Sequence, residues 1–210
     1  MKSLLLYSLV VLPMAIMSCN PVNDEIIPQE EDVFIRTIDT LPLEPLSENE
    51  QSSLLFMREE EKLARDVYDY LHIIWSAQIF DNISSSEQMH MDAILALLDR
   101  YELEDPATGK EPGVFVNSNL QQLYDDLALE GQESIIDALK VGAAIEEIDI
   151  IDLKNALDSF VDNQDIELVY DNLMQGSENH LRSFVKNLAN QGVTYQPQYL
   201  TQDEFDAIIK

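Results

Sequence analysis

Ser86-Glu87-Gln88-Met89-His90-Met91 is the stretch that decides the fold. Glu87 and His90 stand at positions i and i+3, which puts both side chains on one face of a helix. The rest of that face is apolar, with Phe80 and Ile83 upstream and Ile94, Leu97 and Tyr101 downstream. Ser84-x-x-Glu87 also fits a capping box at a helix start, but the stripe continues upstream and places the start earlier. A carboxylate and an imidazole turned into a helical core are costly to bury unless something neutralises them. A metal ion is the usual neutraliser of such a pair, and the neutral imidazole is a common metal ligand.

Working outward, three more predicted helices carry polar breaks in an apolar stripe. The first covers residues 47–75 and opens on the capping-box pattern Ser47-x-x-Glu50. Its stripe is Leu54, Met57, Ala64, Val67, Tyr68, Leu71 and Trp75, and its break is Arg58-Glu59-Glu60-Glu61-Lys62. Such a run is ordinarily a solvated face, and Glu59 is expected on it. At about 100° per residue, Glu60 falls near the stripe's centre and Glu61 toward its edge, so both stand as candidate ligands. The helix predicted over residues 132–161 holds Glu146 in line with Leu139, Gly142, Leu153 and Phe160. Glu147 is turned away from that line and Asp149 lies one turn on; both are candidate substitute ligands. The helix predicted over residues 165–190 holds His180 in line with Tyr170, Leu173, Phe184 and Leu188. Where a second Glu-x-x-His would complete the set, the chain has Ser177-x-x-His180, one carboxylate short. Water, Asp149 or the second glutamate of the first helix are the available replacements.

The links between these helices fix the topology. Residues 76–81 and Asp162-Asn163 are short breaks, whereas residues 102–131 form a long connection with Asp105-Pro106, Gly109 and Pro112-Gly113 as turn signals. A short helix is expected near residues 120–129, and another in the tail from Thr201. The expected fold is all-α: two antiparallel helical hairpins, a four-helix bundle over residues 47–192 with one long crossover, and a tail over 193–210.

Glu61-x-x-Ala64-Arg65-x-x-Tyr68 is similar to the first-helix motif of rubrerythrins, and the whole arrangement resembles the ferritin-like superfamily, which includes bacterioferritin. The resemblance implies that Glu61 is a metal ligand, where stripe geometry points to Glu60, and that Tyr68 lies beside the site as a hydrogen-bond partner or radical-quenching neighbour. Met57 to Tyr68, the Ser86–Met91 stretch, Gly176-Ser177-x-x-His180-Leu181, Gly113-Val114-Phe115 and Tyr199-Leu200-Thr201 resemble more closely a ferritin-like family of bacterial and archaeal proteins without an assigned function.

Composition narrows the partners. The 12 basic and 40 acidic residues give a net charge of −28, which excludes a nucleic-acid partner because nothing would neutralise the phosphates. Residues 1–18 read as a signal segment, with Lys2 before an apolar run too short to span a bilayer. Ile16-Met17-Ser18-Cys19 resembles the lipobox of bacterial lipoproteins, which implies lipidation at Cys19, the only cysteine, and with Asn20 next an outer-membrane location. Residues 19–46 read as a disordered acidic tether.

The expected function is a di-iron or di-manganese carboxylate protein of the cell envelope that handles iron, dioxygen or peroxide, with ligands Glu60 or Glu61, Glu87, His90, Glu146 and His180. With no cysteine pair, its electrons come from an external donor protein, and a homo-oligomer fits the scheme. The alternatives are a non-catalytic metal-binding envelope protein and a vestigial bundle that serves as an interaction module. Met57, Met89, Met91 and Met174 lie near the ligands in sequence, but methionines at helical spacing are ordinarily core filler.

Overall fold

The computed structural model describes residues 30–210, with side chains from residue 34 onward. The signal segment, Cys19 and the first part of the expected tether lie outside the described residues. Among those described there are seven α-helices and no strand: α1 Glu30–Thr40, α2 Glu48–Trp75, α3 Gln78–Arg100, α4 Ser118–Gly131, α5 Ile135–Ser159, α6 Gln164–Asn190 and α7 Gln202–Ile209. None is long and apolar enough to cross a membrane.

Local chemistry sets the ends. Ser47 caps α2 through a complete capping box with Glu50, whose carboxylate also accepts from the backbone N–H groups of Asp162 and Asn163. One cap thereby ties the start of α2 to the turn between α5 and α6. Ser76 ends α2 in the left-handed region (φ 50°) and sends its N–H back to the His72 carbonyl. A second capping box, Thr201 with Glu204, starts α7.

α2 packs along α3, and α5 along α6. Contacts between α2 and α3 run Arg58–Met91, Arg65–Gln88 and Asp69–Ser84, one number rising as the other falls, so the two are antiparallel. The pairs meet through α2 with α5 and α3 with α6; α4 covers α2 and α5, and α7 rests on α6. The expectation of a disordered tether over 19–46 is corrected over Glu30–Thr40, which form α1. Ile38 is buried in a cluster that includes Ala93, Ile94 and Leu97 of α3, and this contact gives the segment something to fold against.

The apolar core is in two parts. One holds Leu63, Val67, Tyr68, Phe80, Leu139, Phe184 and Leu188. The other holds Leu54, Met57, Ile94, Leu97, Leu153, Tyr170 and Leu173. Between them, on all four long helices, lies a buried polar layer: Glu61, Glu87, His90, Glu146, Asp149, Ser177 and His180. The apolar clusters on either side hold the helices at fixed phase, and so hold this layer in place.

Candidate metal centre

Each long helix brings its part of the layer as a short repeat. α2 supplies Glu61 and, two turns on, Tyr68; α3 supplies Glu87 and His90; α5 supplies Glu146 and Asp149; α6 supplies Ser177 and His180. Glu87 is at the centre. Its Oε2 lies 2.8 Å from His90 Nδ1, and its Oε1 lies 2.8 Å from His180 Nδ1. Glu61 Oε2 is 3.1 Å from His90 Nδ1, and Glu146 Oε2 is 3.4 Å from His180 Nδ1. Two triads follow, Glu61–Glu87–His90 and Glu87–Glu146–His180, each able to offer three ligand atoms within 4.8 Å of one another.

The donor set fits a pair of divalent ions. Glu61 Oε1, both oxygens of Glu87, Glu146 Oε2, Asp149 Oδ1 and His180 Nδ1 are buried without a hydrogen-bond partner. His90 Nδ1 and Glu61 Oε2 share a hydrogen bond at 3.1 Å, but the atoms just named have none, as when lone pairs converge on a common cation. Orphaned buried carboxylates each cost several kcal/mol, on the order of the penalty for any unpaired buried ion, and a metal would remove that cost. Mixed oxygen and imidazole ligands with positions left open suit iron or manganese.

Electrostatics agree with a layer short of positive charge. Burial raises Glu61 to about 7, against the opposing pull of His90. Burial and Glu87 raise Glu146, and burial with Glu61 and Glu60 raises Asp149 well above its ordinary range. Burial would also raise Glu87, but His180 and His90 outweigh it and hold it below the usual carboxylate range. Burial would lower His180, yet Glu87 and Glu146 lift it to about 10. Tyr68, pushed up by burial and by Glu146, keeps its proton and donates it to Glu146 Oε1 at 2.5 Å. It positions that carboxylate.

Of the two α2 candidates, Glu61 is the one that joins a triad. Glu60 is also buried, but it faces α5, with Asp152 as its strongest charged neighbour, and belongs to neither triad. Stripe geometry misplaces it because α2 is buried on nearly every side from Met57 to Tyr68, so its apolar stripe does not mark the innermost face. Glu59, expected in solvent, is buried for the same reason and accepts from the backbone N–H groups of Val116 and Asn117. Glu147 is no substitute ligand: its carboxylate accepts from the Tyr195 hydroxyl and the N–H groups of Gln198, Tyr199 and Leu200, fastening the tail. No local spacing signals either role, because the partner loops are distant in sequence. Asp149 Oδ2 lies 3.5 Å from Ser177 Oγ, so the short serine leaves room for an aspartate reaching across from α5. Met57 and Met91 are buried and Met89 is half-exposed; none joins the triads.

Two clefts reach the surface nearby. One of about 550 Å³ between α1, α3 and α6 is lined by Phe34, Ser86, Met89, His90, Gly176 and Asn179, and gives the imidazole side a path to solvent. Gly176 makes the fit possible, since a Cβ there would sit 2.5 Å from His90 Nε2. A larger cleft of about 810 Å³, between α2 and the loop that carries Asp105, holds none of the cluster residues.

Fold and site define an all-helical protein with a buried carboxylate–histidine cluster whose two triads could each hold a metal ion. The chain belongs to the family described as uncharacterized protein domain DUF2202, which it matches over residues 50–210, a span that contains every residue of the cluster. It is similar to the uncharacterized protein MJ0754 of Methanocaldococcus jannaschii, 51% identical over 176 residues that make up 84% of this chain and 95% of the relative. The crystal structure of hypothetical protein MJ0754 superposes with a TM-score of 0.78, covering 80% of this chain and 96% of that one at 51% identity.

Proposed function

We propose that this chain is a ferritin-like carboxylate protein that holds two iron or manganese ions and handles iron, dioxygen or peroxide. In this reading α2, α3, α5 and α6 form a four-helix bundle of the ferritin-like type, with the connection through α4 as its crossover. The observation that carries it is Glu87, whose two oxygens face His90 and His180 while neither has a hydrogen-bond donor. Glu61 and His90 would hold one ion, Glu146 and His180 the other, and Glu87 would bridge them. Asp149 takes the part of the carboxylate that Ser177 lacks. When bound, the ions supply redox chemistry and Lewis acidity.

The chain's own groups prepare that chemistry. Tyr68 fixes the rotamer of Glu146 by its hydrogen bond. Ser86 Oγ lies 3.0 Å from His180 Nε2, which turns the ring so that Nδ1 faces Glu87. The two apolar clusters exclude bulk water from the layer, and the cleft beside His90 admits a small neutral oxidant. Lipid anchoring at Cys19 and an envelope location remain part of the proposal on the strength of the Ile16–Cys19 pattern.

The test is consumption of hydrogen peroxide or dioxygen by protein loaded anaerobically with ferrous iron, compared with Glu87→Ala. Oxidant consumption well above that of free iron, lost in the variant, supports the reading. Equal rates in both proteins would leave a non-catalytic metal-binding protein or the vestigial interaction module, the latter being the alternative that the absent glutamate at Ser177 favours.

A further inference from the structure

His90 and His180 differ on their outer sides. The outer nitrogen of His180, Nε2, is met by Ser86 Oγ at 3.0 Å. The outer nitrogen of His90 meets no protein group, since its contacts with Glu61 and Glu87 both run through Nδ1. His90 is 7% exposed, and its Nε2 points toward Gly176, where a Cβ would lie 2.5 Å away. Both residues line the cleft between α1, α3 and α6. A metal-ligating imidazole ordinarily has a partner for its other nitrogen. At His90 that place is open and faces the cleft.

The cleft suits an uncharged organic molecule. Its volume of about 550 Å³ is in the range of small-molecule sites and far beyond what a peroxide needs. Phe34 and Ile35 of α1 and Leu173 of α6 give it apolar walls, and Asn172 and Asn179 add amides. His90 aside, no residue that lines it is acidic or basic, in a chain where 25% of the residues are charged. The larger cleft beside Asp105 is lined by Glu59, Glu104 and Lys110 as well. An ion entering beside His90 would leave water without finding a counter-charge. A flat neutral ring finds the face of Phe34. A hydroxyl group suits Nε2 in any state of the imidazole, accepting from Nε2–H or donating to a bare Nε2.

We propose that this cleft binds an uncharged phenol, its hydroxyl on His90 Nε2 and its ring against Phe34, and that a phenol of the hydroquinone type is the reductant of the metal pair. The reductant role rests on the proposed function; the binding site does not. In the reaction hydroquinone gives up two electrons and two protons and leaves as the quinone, and hydrogen peroxide takes both and becomes two waters. His90 is the link, with the phenol at one ring nitrogen and the carboxylate layer at the other. The supply of electrons then needs no donor protein.

The experiment uses the full chain, metal-free and loaded with Mn(II), titrated in a calorimeter with three probes: hydroquinone, its anionic sulfonate, and p-xylene, which has the ring but no oxygen. Hydroquinone binds one per chain in both forms of the protein, and the other two bind at least tenfold more weakly. Gly176→Ala, whose methyl group would meet Nε2, abolishes that binding. Should it also disturb Mn(II) uptake, Phe34→Ala decides: hydroquinone binds at least fivefold more weakly while the Mn(II) stoichiometry is unchanged. No binding of hydroquinone, equal affinity for the three probes, or no effect of Phe34→Ala would overturn the site. Ferrous-loaded protein then oxidises one hydroquinone per peroxide, with KM raised in Phe34→Ala and kcat kept. Peroxide consumed while bound hydroquinone stays unoxidised would overturn the reductant role alone. Peroxide left unconsumed with hydroquinone binding intact would overturn the proposed function and the reductant role, and leave the binding site standing.

Discussion

His90 and His180 face each other across the carboxylate of Glu87, ring centroids 5.5 Å apart and ring planes 27° from parallel. The two rings come from different helical pairs, so this one relationship fixes the phase of α3 against α6. It also makes Glu87 the only carboxylate common to both triads.

Asp149 Oδ2 lies 3.5 Å from Ser177 Oγ across α5 and α6, and the proposed function has Asp149 stand in for the carboxylate that Ser177 lacks. Ser177→Glu alone places a second carboxylate in space that Asp149 already takes, and we expect it to destabilise the metal-free protein by about 2–4 kcal/mol. The double variant Asp149→Ala with Ser177→Glu moves the carboxylate back to α6 and recovers most of that loss. A double-mutant cycle in urea should give a coupling energy above about 1 kcal/mol; simple additivity would show that the two positions do not exchange roles.

Metal-free protein should lose stability as pH rises. Glu61 goes from 4.5 to about 7 on folding, and His180 from 6.5 to about 10. A raised folded value means tighter proton binding when folded, so the stabilisation is full below the unfolded value and disappears through the folded one. The windows are pH 4.5–7 for Glu61 and 6.5–10 for His180. Metal ions displace these protons, so metal affinity rises with pH over the same range. Melting curves with and without Mn(II) check both signs; a metal-free protein that gains stability toward pH 9 would contradict the first.

Gly142 is held glycine by packing. A Cβ there would meet two ring carbons of Phe184 at 2.4 Å. Phe184 in turn packs against Tyr68 and Phe80, so the ring has little room to yield. Gly142→Ala gains about 0.5–1 kcal/mol of helix propensity but loses about 1–3 kcal/mol to overpacking. The net result is a lower melting temperature, where an exposed helical glycine would give a higher one.

Glu147→Ala should release the tail. It strips acceptors from three backbone N–H groups and the Tyr195 hydroxyl, for a cost of at least about 3 kcal/mol. Hydrogen exchange should show loss of protection over residues 195–209 while the α2–α3 pair stays protected. Uniform loss across the chain would mean that the tail and the long helices unfold as one unit.

Much of this was legible in the chain. Four stripes at helical spacing located the long helices. The phase of Glu87, His90, Glu146 and His180 within them put those residues on inward faces, where the structure brings them together. Periodicity is informative for a helix with one wet face, as α6 has. It failed on α2, where α4 and the connecting loop cover the side that a lone helix would turn to water. Glu59 and Glu60 were misread there for that reason. Glu147 was misread because its partners are backbone N–H groups of the tail, which no side-chain pattern announces. The helix over Glu30–Thr40 was hidden by an acidic composition that outweighs the single buried anchor Ile38.

The central claim is that Glu87 bridges two metal ions. The most direct measurement is anomalous diffraction at the iron edge from crystals loaded anaerobically with ferrous iron. The account predicts two peaks roughly 3.5–4 Å apart, one beside Glu61 and His90, the other beside Glu146 and His180, with Glu87 between them, and neither present in Glu87→Ala. A fully loaded crystal with no peak in this layer would contradict it.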